Sequence, residues 1–188
     1  MRVILARRAG ALAGNSIYMI QGSMECDTMK ALVVYYSRSG HTRKVGETIA
    51  DMLACDKEEI IDTAWRSGPI GFLRSGYQNK KKSFTKIEAL KRDVSKYDLV
   101  IIGTPVWAGT ASVPMRTFVH RHKDDFNNVA FFSVHGGEDI QDEFREMEAL
   151  CGKKPVCLLS FSQKEVNNQG YVTGAEKFVK DIKNLKGI

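Results

Sequence analysis

Apolar positions along the chain follow two alternating rhythms. Apolar runs occupy residues 31–36, 99–102 and 156–159 and, interrupted only by Ser133, 129–134, and Glu58 to Ile61, ending in two isoleucines, reads as a further short strand. Between these runs apolar residues recur at three- and four-residue spacing. Val45, Ile49, Met52 and Leu53 make the first such set, and Met115, Phe118 and Val119, entered through Pro114, make the second. Phe144, Met147, Leu150 and Cys151 follow, and Phe178, Val179, Ile182 and Leu185 close the series behind a Thr173-x-x-Glu176 capping-box pattern. The apolar runs predict strands buried on both faces, and the spaced sets predict amphipathic helices. Five strands separated by helices predict a doubly wound α/β sandwich around a parallel sheet. Ligands of such sheets lie beyond the carboxyl ends of the strands, so function is expected in the turns after the first, third and fourth strands.

The working domain is expected over residues 29–188, with Met29-Lys30 leading into the first strand. Residues 1–28 read as an amino-terminal extension outside the fold, and a targeting peptide is the alternative. Arg2, Arg7 and Arg8 interrupt what would be the apolar core of a secretory signal. At 188 residues and 43% apolar, the chain suffices for one domain with a sizeable core. No apolar run approaches the roughly 18–20 residues of a membrane span, so a cytoplasmic protein without a membrane partner is expected. Cys26, Cys55, Cys151 and Cys157 stand singly, which predicts reduced thiols with no metal and no disulfide role.

The net charge of +6 becomes informative once it is located. Residues 63–98 hold nine basic against three acidic residues, and the rest of the chain balances. This connection is too long for a plain turn, and it is expected to contain a helix with Lys80, Lys81, Lys82 and Lys86 on a solvated face. Arg74 and Tyr77 are expected to pack at the surface. A basic face of this kind suits an acidic protein partner or a phosphorylated ligand. No nucleic-acid module accompanies it, so no nucleic-acid partner is expected.

The chemistry sits in the turns. The first strand ends in Ser37-Arg38-Ser39-Gly40-His41-Thr42 and a helix follows at once. Hydroxyls and backbone amides can converge there on one anion in front of a helix amino terminus. There is no Lys-Ser/Thr pair of a Walker loop and no G-x-G-x-x-G in this stretch, which favours a terminal monophosphate over a pyrophosphate. A phosphoacceptor domain is excluded because Tyr35-Tyr36-Ser37 supplies no acidic pair for magnesium and Ile102-Gly103 no acceptor aspartate. After the third strand, Trp107 stands in the glycine-bounded stretch Gly103-Thr104-Pro105-Val106-Trp107-Ala108-Gly109, where an indole suits stacking on a flat ring. After the fourth, Ser133-Val134-His135-Gly136-Gly137 offers free amides to the edge of such a ring.

A flat hydrogen-bonding ring joined to one phosphate describes FMN. On these two motifs the sequence resembles the flavodoxin family over residues 30–185: Ser37 to Thr42 is similar to its phosphate loop, and Thr104 to Gly109 to its first ring-binding loop. The resemblance implies strand order 2-1-3-4-5 and FMN as cofactor. It further implies that Ser37, Ser39 and Thr42 hold the phosphate with the amides of Arg38, Gly40 and His41, the last through its amide alone. Trp107 would cover one ring face, while Thr104, Pro105, Val106, Ala108 and Gly109, with His135, Gly136 and Gly137, would surround the ring's reducible edge. No residue is assigned a catalytic role. Arg38 and His41 depart from the family's neutral residue and frequent asparagine, and no second aromatic lies between Val134 and Ile140. The implied function is electron transfer between protein partners. An NAD(P)H-dependent quinone or nitro-compound reductase, passing electrons to a small acceptor, is the alternative.

Overall fold

In a computed structural model of the protein, which describes residues 29–63, 83–137 and 142–185, the apolar run after Lys30 forms the inner strand β1 (Ala31–Tyr35), buried throughout. It pairs in parallel with β2 (Asp56–Glu59) on one side and with β3 (Leu99–Trp107) on the other. The sheet continues through β5 (Asn128–His135) to β6 (Leu158–Ser162), also in parallel. A two-residue strand, β4 (Thr110–Ala111), returns antiparallel against the end of β3. The order is β2-β1-β3-β5-β6. With β4 set aside, the parallel strands follow the expected 2-1-3-4-5 order.

Helices cover both faces because residues along each strand alternate in direction. From β3, Val100 and Ile102 face Met115 and Phe118 of α2 (Val113–His122) and Met147 of α3 (Asp142–Cys151). Leu99 and Ile101 point the other way, toward Val45 and Ile49 of α1 (His41–Leu53) and Phe178 and Ile182 of α5 (Tyr171–Lys183). Each such fully buried side chain contributes ~1.5–3 kcal/mol, so the two layers clamp the sheet and leave its carboxyl edge to the turns. A short helix, α4 (Gln163–Asn167), lies between β6 and α5.

Several boundaries differ from the sequence reading, and the differences fall at edges and turns. β2 begins two residues before the expected 58–61, because its place is set by backbone pairing of Leu32 to Tyr35 with Asp56 to Glu59 and not by an apolar run. β6 runs later than the expected 156–159. It is an edge strand with Leu158 half exposed, so serines can alternate through it. The capping box forms at Ser162 and Glu165, ahead of α4, whereas α5 begins at Tyr171 behind Gly170 and takes no cap from Thr173. Lys86 lies in an extended stretch and not a helix: Thr63 and Glu88 amides bond to the carbonyls of Lys86 and Ile61, and Asp62 bridges Ile87. Residues 1–28 and Arg74, Tyr77, Lys80, Lys81 and Lys82 lie outside the described residues.

Among the described residues no helix is long and apolar enough to cross a membrane, and no group of His, Cys, Asp and Glu could hold a metal ion. Cys55, Cys151 and Cys157 are free thiols. Burial, then the neighbouring Asp56 carboxylate, pushes the Cys55 thiol up to about 11, which keeps it protonated and unreactive.

Candidate functional site

The turn from β1 to α1 is built around Gly40. Its φ of +91° is reached without strain only by glycine, and an added Cβ there would meet nothing within 4 Å. The backbone angle, not space, requires the residue. The Gly40 amide donates to Ser37 Oγ at 3.1 Å, and the Gly40 carbonyl accepts from the Lys44 amide at 2.9 Å, which closes the loop onto the helix. The helix that follows has no side-chain cap and no acidic residue in its first turn. Its leading amides and positive dipole end are thereby left to an outside anion. Thr42 is buried at the start of α1, whereas Arg38 and Ser39 are exposed.

Neighbouring elements hold this loop in place. Arg43 makes a two-pronged contact with Glu59 at the end of β2, at 2.7 and 3.1 Å. Lys44 reaches the Val166 carbonyl of α4 at 3.1 Å, and Thr48 meets the Tyr171 hydroxyl at 3.0 Å. The His41 ring bridges Ser39 Oγ, 2.9 Å from its Nδ1, and Asn167 Oδ1, 3.0 Å from its Nε2.

The stretch expected as a loop after the third strand is a hairpin. Ala108 and Gly109 carry φ of +49° and +77°, the two positive angles of a tight turn whose twist matches its strands. Val106 and Trp107 therefore pair with Ala111 and Thr110. Trp107 is half-buried, its ring edge-on to Tyr36 at 5.7 Å, and the Arg38 guanidinium lies 6.0 Å from the indole centroid, at the limit of a cation–π contact. The phosphate-type loop and the hairpin thus meet through side chains.

Thr104 stands at the base of the hairpin. It is fully buried, accepts from the Ser112 amide at 3.0 Å and lies 3.2 Å from the Ser112 hydroxyl, so its side chain holds the base of the hairpin. Pro105 and Val106 are half-buried, Ala108 is exposed and Gly109 is half-buried. Behind the hairpin Arg116, 2% exposed, pairs with Glu146 of α3 at 3.2 Å and reaches Thr110 Oγ1 and the Ala111 carbonyl at 3.4 Å.

The turn after β5 adds His135, half-buried, and Gly136 and Gly137, both exposed. His135 Nδ1 is hydrogen-bonded with the Gly137 carbonyl, which folds the turn back on itself. Beneath it Ser133 donates to the buried Glu143 carboxylate at 2.8 Å and lies 2.8 Å from Ser160, tying the ends of β5 and β6 to α3. Strand register brings Thr104 beside Ser133, Pro105 beside Val134, and His135 beside Ser162.

A fourth turn, after β6, completes the rim and was not singled out from the sequence. Gln163 lies beside Gly136, and Asn167 reaches His41. Glu165 caps α4. The Ser162 hydroxyl and amide, both 2.7 Å from its Oε2, hold its carboxyl below the usual range, with His135 adding a smaller attraction. The Ser162-x-x-Glu165 pattern was available as a signal for this helix; nothing in the sequence marks Asn167.

Four turns at one edge of the sheet therefore offer an uncapped helix amino terminus, a half-exposed indole and a pair of exposed glycines. This donor set suits an anionic group attached to a flat, hydrogen-bonding ring.

Comparison with protein families matches a model described as Flavodoxin over residues 30–168. Among solved structures, a flavoprotein from Lactobacillus acidophilus NCFM in complex with FMN is 25% identical, covers 76% of this chain and 99% of its own, and superposes with a TM-score of 0.63. A flavodoxin, WrbA-like protein from Agrobacterium tumefaciens is 16% identical over 84% of this chain and 99% of its own, with a TM-score of 0.52, a likeness of fold alone. No curated protein matches.

Proposed function

Since this chain belongs to the flavodoxin family, we propose that it binds FMN at the four-turn rim and works as a redox protein that moves electrons between protein partners. The observation that carries the reading is the α1 amino terminus, with no cap or acid of its own, 6.0 Å separating the Arg38 side chain beside it from the Trp107 ring. The Lactobacillus relative, crystallised with FMN, supports the same cofactor. The residues fit the group: Ser37, Ser39 and Thr42, with the amides of Arg38, Gly40 and His41, would take the phosphate. Trp107 would take one ring face, and the hairpin and the turn of His135, Gly136 and Gly137 would take its edge. When bound, FMN supplies the reversible electron uptake. The chain's own work is to bind, to orient and to exclude water on the Trp107 side.

One observation favours a second reading, an NAD(P)H-dependent reductase of quinones or nitro-compounds. The turn after β5 carries glycines and no aromatic residue, which leaves the second ring face open to a small reactant.

The test is an absorbance spectrum of the purified protein with and without added FMN, followed by NAD(P)H oxidation assays with a quinone. Absence of a flavin spectrum under both conditions ends the cofactor reading. Steady NAD(P)H turnover without a separate reductase selects the enzyme, and reduction only through such a reductase selects the carrier.

A further inference from the structure

Resting on the FMN reading, we propose that His41 and Asn167 are positioning residues of the phosphate loop, and that a phosphate ester is held there together with a proton on the His41 ring. Asn167 faces the ring through Oδ1, an acceptor only, at 3.0 Å, an arrangement that pairs with a hydrogen on Nε2. In the neutral ring Nδ1 is then a bare lone pair. Ser39, 2.9 Å away, can satisfy it only by donating its single hydroxyl proton. A serine so committed presents only lone pairs to an arriving phosphate.

Protonation reverses the polarity. Nδ1–H now donates to Ser39 Oγ, and the hydroxyl proton is released to donate to a phosphate oxygen. The bond to the anion is charge-assisted through the imidazolium behind it. Phosphate binding and His41 protonation therefore favour each other by the same factor, as linkage requires. Binding takes up a proton. The gain in affinity is therefore lost as pH rises.

Other charged groups surround the ring, and His135 of the neighbouring turn acts on Glu165 of α4. Arg38 and Lys44 belong to its own loop and helix, with Lys44 held by the Val166 carbonyl. Arg43 is paired with Glu59. On α4, Lys164 is a lysine and the Glu165 carboxylate is committed to Ser162. The phosphate's own second ionisation, near about 6, works in the opposite direction and strengthens binding as pH rises. A non-titrating variant separates the two effects.

The experiment measures FMN and riboflavin dissociation constants by fluorescence from pH 5.5 to 8.5 for the wild type, His41→Asn and Asn167→Asp. Riboflavin lacks the phosphate and cancels effects outside the loop. Between the pH limits, the FMN-over-riboflavin preference of the wild type, divided by that of His41→Asn, is expected to fall ~10-fold, within the usual span of coupling between sites. In Asn167→Asp, a carboxylate facing Nε2–H favours the imidazolium, so the same fall moves to higher pH; a purely structural role for Asn167 predicts no such displacement. Nitrogen-15 NMR of the ring is expected to show the Nε2–H tautomer in the flavin-free protein. A wild-type profile parallel to that of His41→Asn, or an Nδ1–H tautomer, overturns the proposal. If none of the proteins takes up either flavin, the cofactor reading falls on its own. Inorganic phosphate titrated against the His41 resonances then decides the present inference: a raised ring titration supports it and an unmoved one overturns it.

Discussion

Replacing Gly40 by alanine isolates the backbone conformation on which the loop depends. At φ +91° an L-residue pays ~1–2 kcal/mol in backbone strain. The methyl group itself costs nothing, since an added Cβ has no heavy atom within 4 Å. Against the strain stands ~0.4–1 kcal/mol from the reduced freedom of the unfolded chain. The net expectation is a loss of about 1 kcal/mol, which for a urea slope of ~2 kcal/mol/M lowers the unfolding midpoint by roughly 0.5 M. FMN binding draws on the same angle, because the Gly40 carbonyl and amide close the turn that aims the α1 amides. A variant loop that relaxes in the free protein must be strained again on binding, so the FMN dissociation constant is expected to rise up to about fivefold, the equivalent of 1 kcal/mol. Urea unfolding without flavin and a fluorescence titration with FMN supply the two numbers. A variant as stable as the wild type refutes the strain argument. A loss well above ~3 kcal/mol refutes the open space around the Cβ and points to a collision.

Trp107→Ala is expected to weaken FMN binding by ~1–3 kcal/mol through lost stacking and buried area; an unchanged dissociation constant by fluorescence titration rules out the stacking role. Arg116→Met removes a buried guanidinium that pairs with Glu146 at 3.2 Å, and is expected to cost ~1–3 kcal/mol in thermal or urea unfolding. A variant as stable as the wild type contradicts the ion-pair account. Burial, then the hydrogen bond to Asp56 at 2.7 Å, pushes the Tyr97 phenol up to about 12, so the fold favours its neutral form. Its contribution is full below about 10, the ordinary tyrosine value, and is lost as pH climbs through about 12. The gap in urea midpoint between wild type and Tyr97→Phe should accordingly hold constant up to pH 10 and narrow above it; a gap that widens with pH contradicts the sign.

Much of this arrangement was legible in the chain. Val33, Val34, Ile101 and Ile102 are buried on both sides, so hydrophobicity alone marks β1 and β3. The spacing of Val45 and Ile49, or of Phe178 and Ile182, announces a helix with one buried face. Edge strands gave weaker signals. In β2 and β6 backbone pairing with an inner neighbour outweighs side-chain hydrophobicity, and Asp56 or Ser160 can occupy a strand. Thr104 shows the limit at the site itself, since a hydroxyl after an apolar run does not announce the bond to the Ser112 amide, eight residues on, that anchors the hairpin.

What the sequence alone determined is the alternating sandwich and the turns that carry its chemistry, because periodic hydrophobicity and a glycine-hydroxyl loop are local properties of neighbouring residues. What only the tertiary structure decided is the company those turns keep. Arg38 beside Trp107, Arg116 beneath the hairpin and Asn167 on His41 are contacts between residues 69, 30 and 126 positions apart, the second measured from Arg116 to Glu146. Crossover connections bring them together, and the donor or acceptor each side chain presents is set only after the strands have taken their register.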